Sequence, residues 1–240
     1  MNAVVWCSSA RSHVGKLREV NEDAVFEQPS LGLWAVADGM GGHAHGDIAS
    51  QAIAAELGRL EDPGNFSDLV DVVDDALVRV NEQLVAWAEE LDSGQTMGST
   101  VVALLAHDHV ACALWAGDSR LYRLRGGSLE LVTRDHNPVG DMLEEGVTDE
   151  QTLISARTNV VTRAIGGRSN VTLDFALFDV VSDDTFLLCS DGLYQEVDDA
   201  ELERLLAGDD VEDVVERLIA ASLQGDARDN ISAVVARRAQ

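Results

Sequence analysis

The chain has 240 residues, with 43 acidic side chains against 17 basic ones and a formal charge of −26. That balance excludes a nonspecific nucleic-acid or anionic-membrane binder, which needs a basic stripe. A hydrophobic content of 46% excludes a disordered polymer and is enough for one sizeable core.

Aromatics are only 5% of the chain, so Leu, Val, Ile and Ala must build the interior. Ala3 to Ser8 reads as a first strand. No basic start followed by a full apolar stretch precedes it, so no signal peptide is expected. The absence of a run of about 18 uncharged apolar residues predicts no membrane span, and a cytoplasmic location is the expectation. The run GLWAVADGMGG, Gly32 to Gly42, reads as a strand that stops at a glycine-rich turn, with Asp38 at its end. A helix is predicted from Asp47 to Leu60 and is broken by Pro63 and Gly64.

Leu69, Val73, Leu77, Val80, Leu84, Ala88 and Leu91 recur every three or four residues, which predicts one face of a long helix. Ser99 to Ala106, Val110 to Gly117, Arg120 to Leu124 and Leu129 to Val132 read as short strands joined by turns. Arg134 to Ile165 is polar and glycine-punctuated, an excursion over the surface. Strands resume at Thr172 to Phe178 and Thr185 to Cys189. A helix at Val211 to Ala221 and a strand at Ile231 to Ala236 close the order. Dense βα alternation is missing, which favours α+β layering with mainly antiparallel sheets.

The three cysteines, Cys7, Cys112 and Cys189, are widely spaced and form no CxxC unit, so neither a disulfide framework nor a structural zinc site is expected.

Acidic residues beside glycine or asparagine stand out at strand ends and turns: Asp23 in NED, Asp38 in ADGMGG, Asp118 in AGDSR, Asp191 in SDG and Asp229 in DN. Asp-Gly is also an ordinary turn dipeptide. Gathered together, however, such carboxylates repel one another unless protonated or neutralised. Hard divalent cations with oxygen ligands remove that cost, which points to a two-metal hydrolase. Arg18 offers a guanidinium fork that suits phosphate oxygens, or an ordinary surface ion pair. His43 and His45, and with less support His13 and His136, are candidates for donating a proton to a leaving oxygen, or plain loop residues.

REVNED (Arg18 to Asp23), VADGMGGHAHG (Val36 to Gly46), MGST (Met97 to Thr100), AGDSRLY (Ala116 to Tyr122), CSDGL (Cys189 to Leu193) and RDNIS (Arg228 to Ser232) occur in that order. Together they resemble the motifs of bacterial metal-dependent serine/threonine protein phosphatases of the type 2C class, over nearly the whole chain. The resemblance implies a four-layer αββα sandwich with two central, mainly antiparallel sheets, as a single catalytic domain over 1–240 with a variable flap at 137–165. It implies two divalent metals, Mn2+ or Mg2+. Asp38 would bridge them, Asp191 and Asp229 would ligate one, and the Gly39 carbonyl and Glu22 (through water) would hold the other. Asp23 would back up these ligands, and Asp118 with Asp191 would form a weaker third metal site. Arg18 would grip the phosphate while a metal-bridging hydroxide attacks phosphorus, with no phosphoenzyme formed. Where eukaryotic members carry histidine after the Asp-Gly, this chain has Met40, so the resemblance does not supply the general acid. The implied partners are phosphorylated proteins, among them a Ser/Thr kinase or its substrates, with type VI secretion as one context and a monomer as the expected state. A catalytically weak metal-binding docking or regulatory protein is the alternative.

Overall fold

The computed structural model describes residues 6–41, 45–91, 96–149 and 160–238. In chain order its strands are β1 (Trp6–His13), β2 (Asp23–Gln28), β3 (Leu33–Met40), β4 (Gly98–Ser99), β5 (Val101–His107), β6 (Val110–Ala116), β7 (Arg120–Arg125), β8 (Ser128–Leu131), β9 (Asp174–Asp179), β10 (Thr185–Cys189) and β11 (Ile231–Arg238). The helices are α1 (Gly46–Leu57), α2 (Phe66–Glu90), α3 (Pro138–Glu144), α4 (Asp191–Tyr194), α5 (Asp199–Leu206) and α6 (Val211–Ser222).

Every strand pairing is antiparallel. One sheet runs β1-β11-β10-β7-β8; the other runs β2-β3-β5-β6-β9, with β4 also on β3. Because side chains alternate across a strand, each sheet can serve two apolar layers at once. Leu33, Ala35 and Ala37 of β3 join Val101, Ala103 and Leu105 of β5 in a layer under α1 and α2. The intervening Trp34 and Val36 turn the other way, towards Phe186, Leu188, Val234 and Ala236 of the facing sheet. That second sheet sends Leu187, Cys189, Ala233 and Val235 outward under α4, α5 and α6. Three apolar layers between four layers of structure make the αββα sandwich that the motifs imply.

The long helix forms where its periodicity predicts, with the Asn65 side chain accepting from the Asp68 N–H at its start. Its buried stripe is Leu69, Val73, Ala76, Leu77, Val80, Asn81 and Leu84. Leu91 is exposed, because the helix ends at Glu90 and releases the residue beyond it. β2, α4 and α5 are absent from the sequence reading. β2 has too few apolar residues to stand out, and its pairing with β3 decides it. α5 is a short amphipathic turn starting at the Asp198 cap. Of the predicted first strand, Ala3 to Val5 lie outside the described residues; β1 continues past Ser8 to His13, where its polar stretch pairs along β11.

Cys112 and Cys189 are buried and Cys7 is exposed. Within the polar excursion, the Asn137 side chain caps α3 by accepting from the Gly140 N–H, while 150–159 lie outside the described residues.

Candidate metal centre

β3 carries Asp38 out of the apolar layers to the end of the sandwich. Directly opposite it on β2 stands Asp23. Like charges placed across a strand pair destabilise a sheet, so this pairing needs a reason. Asp38 is fixed from behind: its N–H donates to Thr100 Oγ1 at 3.1 Å, and its carbonyl accepts from Ser99 Oγ at 3.0 Å. Thr100 Oγ1 in turn shares a 2.7 Å hydrogen bond with Ser119 Oγ.

The remaining acids arrive from the other sheet and its loops. Asp191 opens α4 at the end of β10, and Asp229 lies just before β11. Asp118 sits in the turn between β6 and β7, its carbonyl accepting from Tyr194 Oη at 3.1 Å. Gly192 lets these loops close up: a Cβ there would lie 2.1 Å from the Asn230 carbonyl oxygen. At Gly39 the backbones are equally close, with a Cβ position 2.0 Å from the Gly46 carbonyl oxygen and 2.5 Å from that of Glu22.

Arg18, Glu22, Asp38, Gly39, Asp118, Asp191 and Asp229 line one cavity of about 310 Å³. Asp23 is buried behind it, with Oδ2 accepting from Ser190 Oγ at 2.8 Å. Burial and mutual repulsion raise the acids together. Asp38 is pushed well above the usual carboxylate range by burial and by Asp23, Asp191, Asp118 and Asp229. Asp118 is raised to about 7 by burial, then by Asp191 and Asp135. Burial lifts Asp23 to about 6 against the bonds from Ser232 and Ser190. Asp191 is also raised to about 6, by burial and then by Asp229.

Arg18 is the cation among them. Its guanidinium donates to Asp229 Oδ2 at 2.7 Å and lies 3.9 Å from Glu22 Oε2. Among the described residues, no three acidic or histidine side chains are drawn up around a single point as they would be around an ion. Arg18 holds Asp229, Ser190 holds Asp23, and Gln195 donates to Asp191 Oδ2 at 2.8 Å. The donor set nevertheless fits hard divalent cations. It is all oxygen, its charge is unmet, and Oδ1 of both Asp23 and Asp191 is buried with no hydrogen-bond donor.

Residues 11–235 match the family described as Protein phosphatase 2C. The chain belongs to that family. It is 35% identical over 229 residues to the serine/threonine protein phosphatase PstP of Mycobacterium tuberculosis, an alignment that covers 95% of this chain and 44% of that protein. The chain thus spans less than half the length of that relative. Among solved structures, PppA, a key regulatory component of T6SS in Pseudomonas aeruginosa, superposes with a TM-score of 0.90 at 43% identity, covering 98% of this chain and 99% of that one. The catalytic domain of PstP in complex with two manganese ions superposes with a TM-score of 0.86 at 34% identity, covering 99% and 100%.

All the acids singled out in the sequence reach this end of the fold. The histidines do not gather there. His43 lies outside the described residues, and His13, His45 and His136 do not line the cavity. His13 Nδ1 accepts from the Gly15 N–H, and His136 is buried between the Gly117 N–H and Asp174. Sequence reasoning gave no role to Asn230. Its Oδ1 accepts from the Glu22 N–H at 2.8 Å, and its Nδ2 donates to the Val14 and Val20 carbonyls at 3.0 Å each. It ties the loop that bears Arg18 and Glu22 to the one that bears Asp229. The DN pair was the available signal, read only for its acid.

Proposed function

We propose that the chain hydrolyses phosphoserine and phosphothreonine in proteins, using two divalent cations, Mn2+ or Mg2+. One observation carries the reading: two aspartates paired across β2 and β3, with Asp118, Asp191, Asp229 and an arginine converging on them from the facing sheet. An acidic cluster of this kind is costly in a fold unless cations complete it.

When bound, the cation pair supplies Lewis acidity that offsets phosphate charge and acidifies a water. Asp38, central and fixed by Thr100 and Ser99, would lie between the two ions. Asp191 and Asp229 would hold one, and Glu22 with the Gly39 carbonyl the other. Asp23 would orient this set from behind, and Asp118 with Asp191 would take a weaker third ion. Arg18 is hydrogen-bonded to Asp229, so a cation that engages Asp229 would free the guanidinium to fork onto phosphate oxygens. Attack by water needs no phosphoenzyme. The buried Cys189 thiol, pushed far up by burial, is unsuited to act as a nucleophile. His13, His45 and His136 are not among the residues that line the cavity, and the proposal gives none of them the role of delivering the proton to the departing oxygen.

The likeness to PppA supports a type VI secretion context, and the likeness to PstP supports action on proteins phosphorylated at serine or threonine; a Ser/Thr kinase or its substrates are the partners proposed. Among the described residues no helix is long and apolar enough to cross a membrane. A cytoplasmic monomer with a flap at 137–165 is the working form of the proposal.

The test is phosphate release from phosphothreonine peptides with manganese, combined with rapid acid quench. Turnover without a trapped phosphoenzyme is expected. A fully metal-loaded protein that releases no phosphate from any phosphopeptide would instead mark a docking or regulatory relative.

A further inference from the structure

With acids outnumbering bases 43 to 17, the fold consumes its cations. Arg11, Arg18, Arg59, Arg79, Arg120, Arg123, Arg125, Arg163, Arg204, Arg217 and Arg228 each pair with a carboxylate. Lys16, Arg237 and Arg238 donate to backbone carbonyls. Among the described residues only the side chains of Arg134 and Arg168 have no partner. Both are exposed. An unpartnered surface arginine is ordinary where bases are plentiful, but this chain has 43 acidic residues against 17 basic ones.

Arg168 lies in a groove that adjoins the cavity of the metal centre, and Arg134 in one reached from it past Tyr194 and Gln195. Arg168 lines a cavity of about 640 Å³ that shares Met40 and Val161 with the metal centre. Its wall carries one carboxylate, Asp141. Arg134 lines a cavity of about 810 Å³ on the side of Tyr194 and Gln195, the residues that hold the Asp118 carbonyl and the Asp191 carboxylate. Among the described residues the only acid on that wall, Asp135, is already gripped by both arms of Arg120 at 2.9 and 2.8 Å.

We infer that Arg134 and Arg168 are specificity-determining residues that select phosphoproteins carrying acidic side chains on both flanks of the phosphoresidue. This rests on the phosphatase reading above. An extended chain advances about 3.3 Å per residue, so side chains two or three positions either side of the phosphoresidue reach roughly 7–10 Å from it. That is far enough to enter the groove that shares Met40 and Val161 with the cavity and to approach the one past Tyr194 and Gln195. Elsewhere the acidic surface repels such a segment, and the two free guanidinia supply the local attraction that orients it.

The experiment compares kcat/KM on two phosphothreonine peptides that differ only in flanking glutamates or lysines, each normalised to the rate on a small aryl phosphate. The acidic peptide is expected to be preferred. Arg134→Ala and Arg168→Ala should each cut the acidic-to-basic ratio by about two- to fivefold, the range of exposed ion pairs. Arg168→Glu should cut it further. Arg204→Glu, the same charge change on α5 and away from the cavity, should leave the ratio in place. Anisotropy with nonhydrolysable phosphonate versions of both peptides should show the same order of affinities. A ratio unmoved by either arginine, or moved equally by Arg204→Glu, would overturn the inference while hydrolysis of both peptides left the phosphatase reading intact. Absence of all hydrolysis would refute that reading, and the binding ratio would still decide this one.

Discussion

β3 passes through two regions built on opposite principles. From Leu33 to Ala37 it is buried among apolar neighbours on both faces, and each side chain there is stabilised by leaving water. One residue later it delivers Asp38 opposite Asp23, beside three more acids whose proximity raises one another. The apolar stretch is locally favourable at every position. The acidic end is locally unfavourable and is held in place by the strand it terminates. A rigid sandwich can therefore present a set of charges that would separate if attached to a mobile loop, and that strain is what makes the site receptive to cations.

The largest expected effect breaks the acidic end alone. Asp38→Asn should lower manganese-dependent phosphopeptide turnover by about 10³-fold or more, since it removes the group central to both proposed ions. In chelator the same variant should melt higher, by about 2–4 °C for each kcal/mol of relieved repulsion. Activity near the parent level would remove Asp38 from the centre of the site. An unchanged or lower melting temperature without metal would show that the pairing with Asp23 carries no strain.

The matching change in the apolar region should do the reverse. Phe186 is fully buried between the sheets and close to Trp6 and Phe178, with ring centroids 6.1 and 5.8 Å away. Phe186→Ala should cost about 3–5 kcal/mol in denaturant unfolding. Turnover per folded molecule and manganese affinity should be close to the parent. A collapse of metal affinity in protein that is still folded would mean that the two regions are not separable.

How far the sequence shows this contrast depends on the range of the interaction. The strand alternation in Leu33 to Ala37 and the stripe of α2 are local patterns, and both are legible directly. The acids could be found as a set because each stands within two residues of a glycine or asparagine. Their convergence could not be derived from spacing, since Asp23, Asp118 and Asp229 lie far apart in the chain and meet only through the sheet order. β2 was illegible for the same reason: DAVFEQ becomes a strand by pairing with β3. Asn230 is visible in the sequence only as the neighbour of Asp229 in the DN pair; that its amide bonds three backbone groups on a distant loop cannot be read from that pair.

A pH titration sharpens the comparison by loading mainly the acidic end, with His136, lowered by burial, acting in the opposite sense. Asp23 and Asp191 are raised to about 6 and Asp118 to about 7 in the folded protein. A carboxyl with a raised folded pKa binds its proton more tightly folded than unfolded. Its contribution is complete below about pH 4 and is lost as pH rises through 6 and 7. Carboxyls with lowered values, such as Asp174, change stability only at more acid pH. Between pH 5 and pH 8, metal-free protein should therefore lose stability on the order of 2–3 kcal/mol, less than a sum of independent groups because the three share one site. With manganese the trend should reverse, because bound cations hold the carboxylates ionised. Melting temperatures in chelator that stay flat or rise over this window would contradict the raised values.

The smallest effect probes the join between the two regions. Asn230 is buried and belongs to neither the apolar layers nor the acids, yet three of its polar contacts reach the loop from Val14 to Glu22. Truncating it leaves the Glu22 N–H and the Val14 and Val20 carbonyls without these partners. The loop that carries Arg18 and Glu22 then loses its tether to Asp229. Asn230→Ala should weaken manganese binding by about 10–100-fold, the range for residues that orient metal ligands without touching the ion. It should also raise KM for phosphopeptide more than it lowers kcat, because Arg18 loses its aim while Asp38 keeps its supports from Ser99 and Thr100. Calorimetric manganese titration and steady-state kinetics measure the two effects separately. A variant that is merely less stable, with both values unchanged in the folded fraction, would show that the acidic end assembles without this tether and that β3 alone sets its geometry.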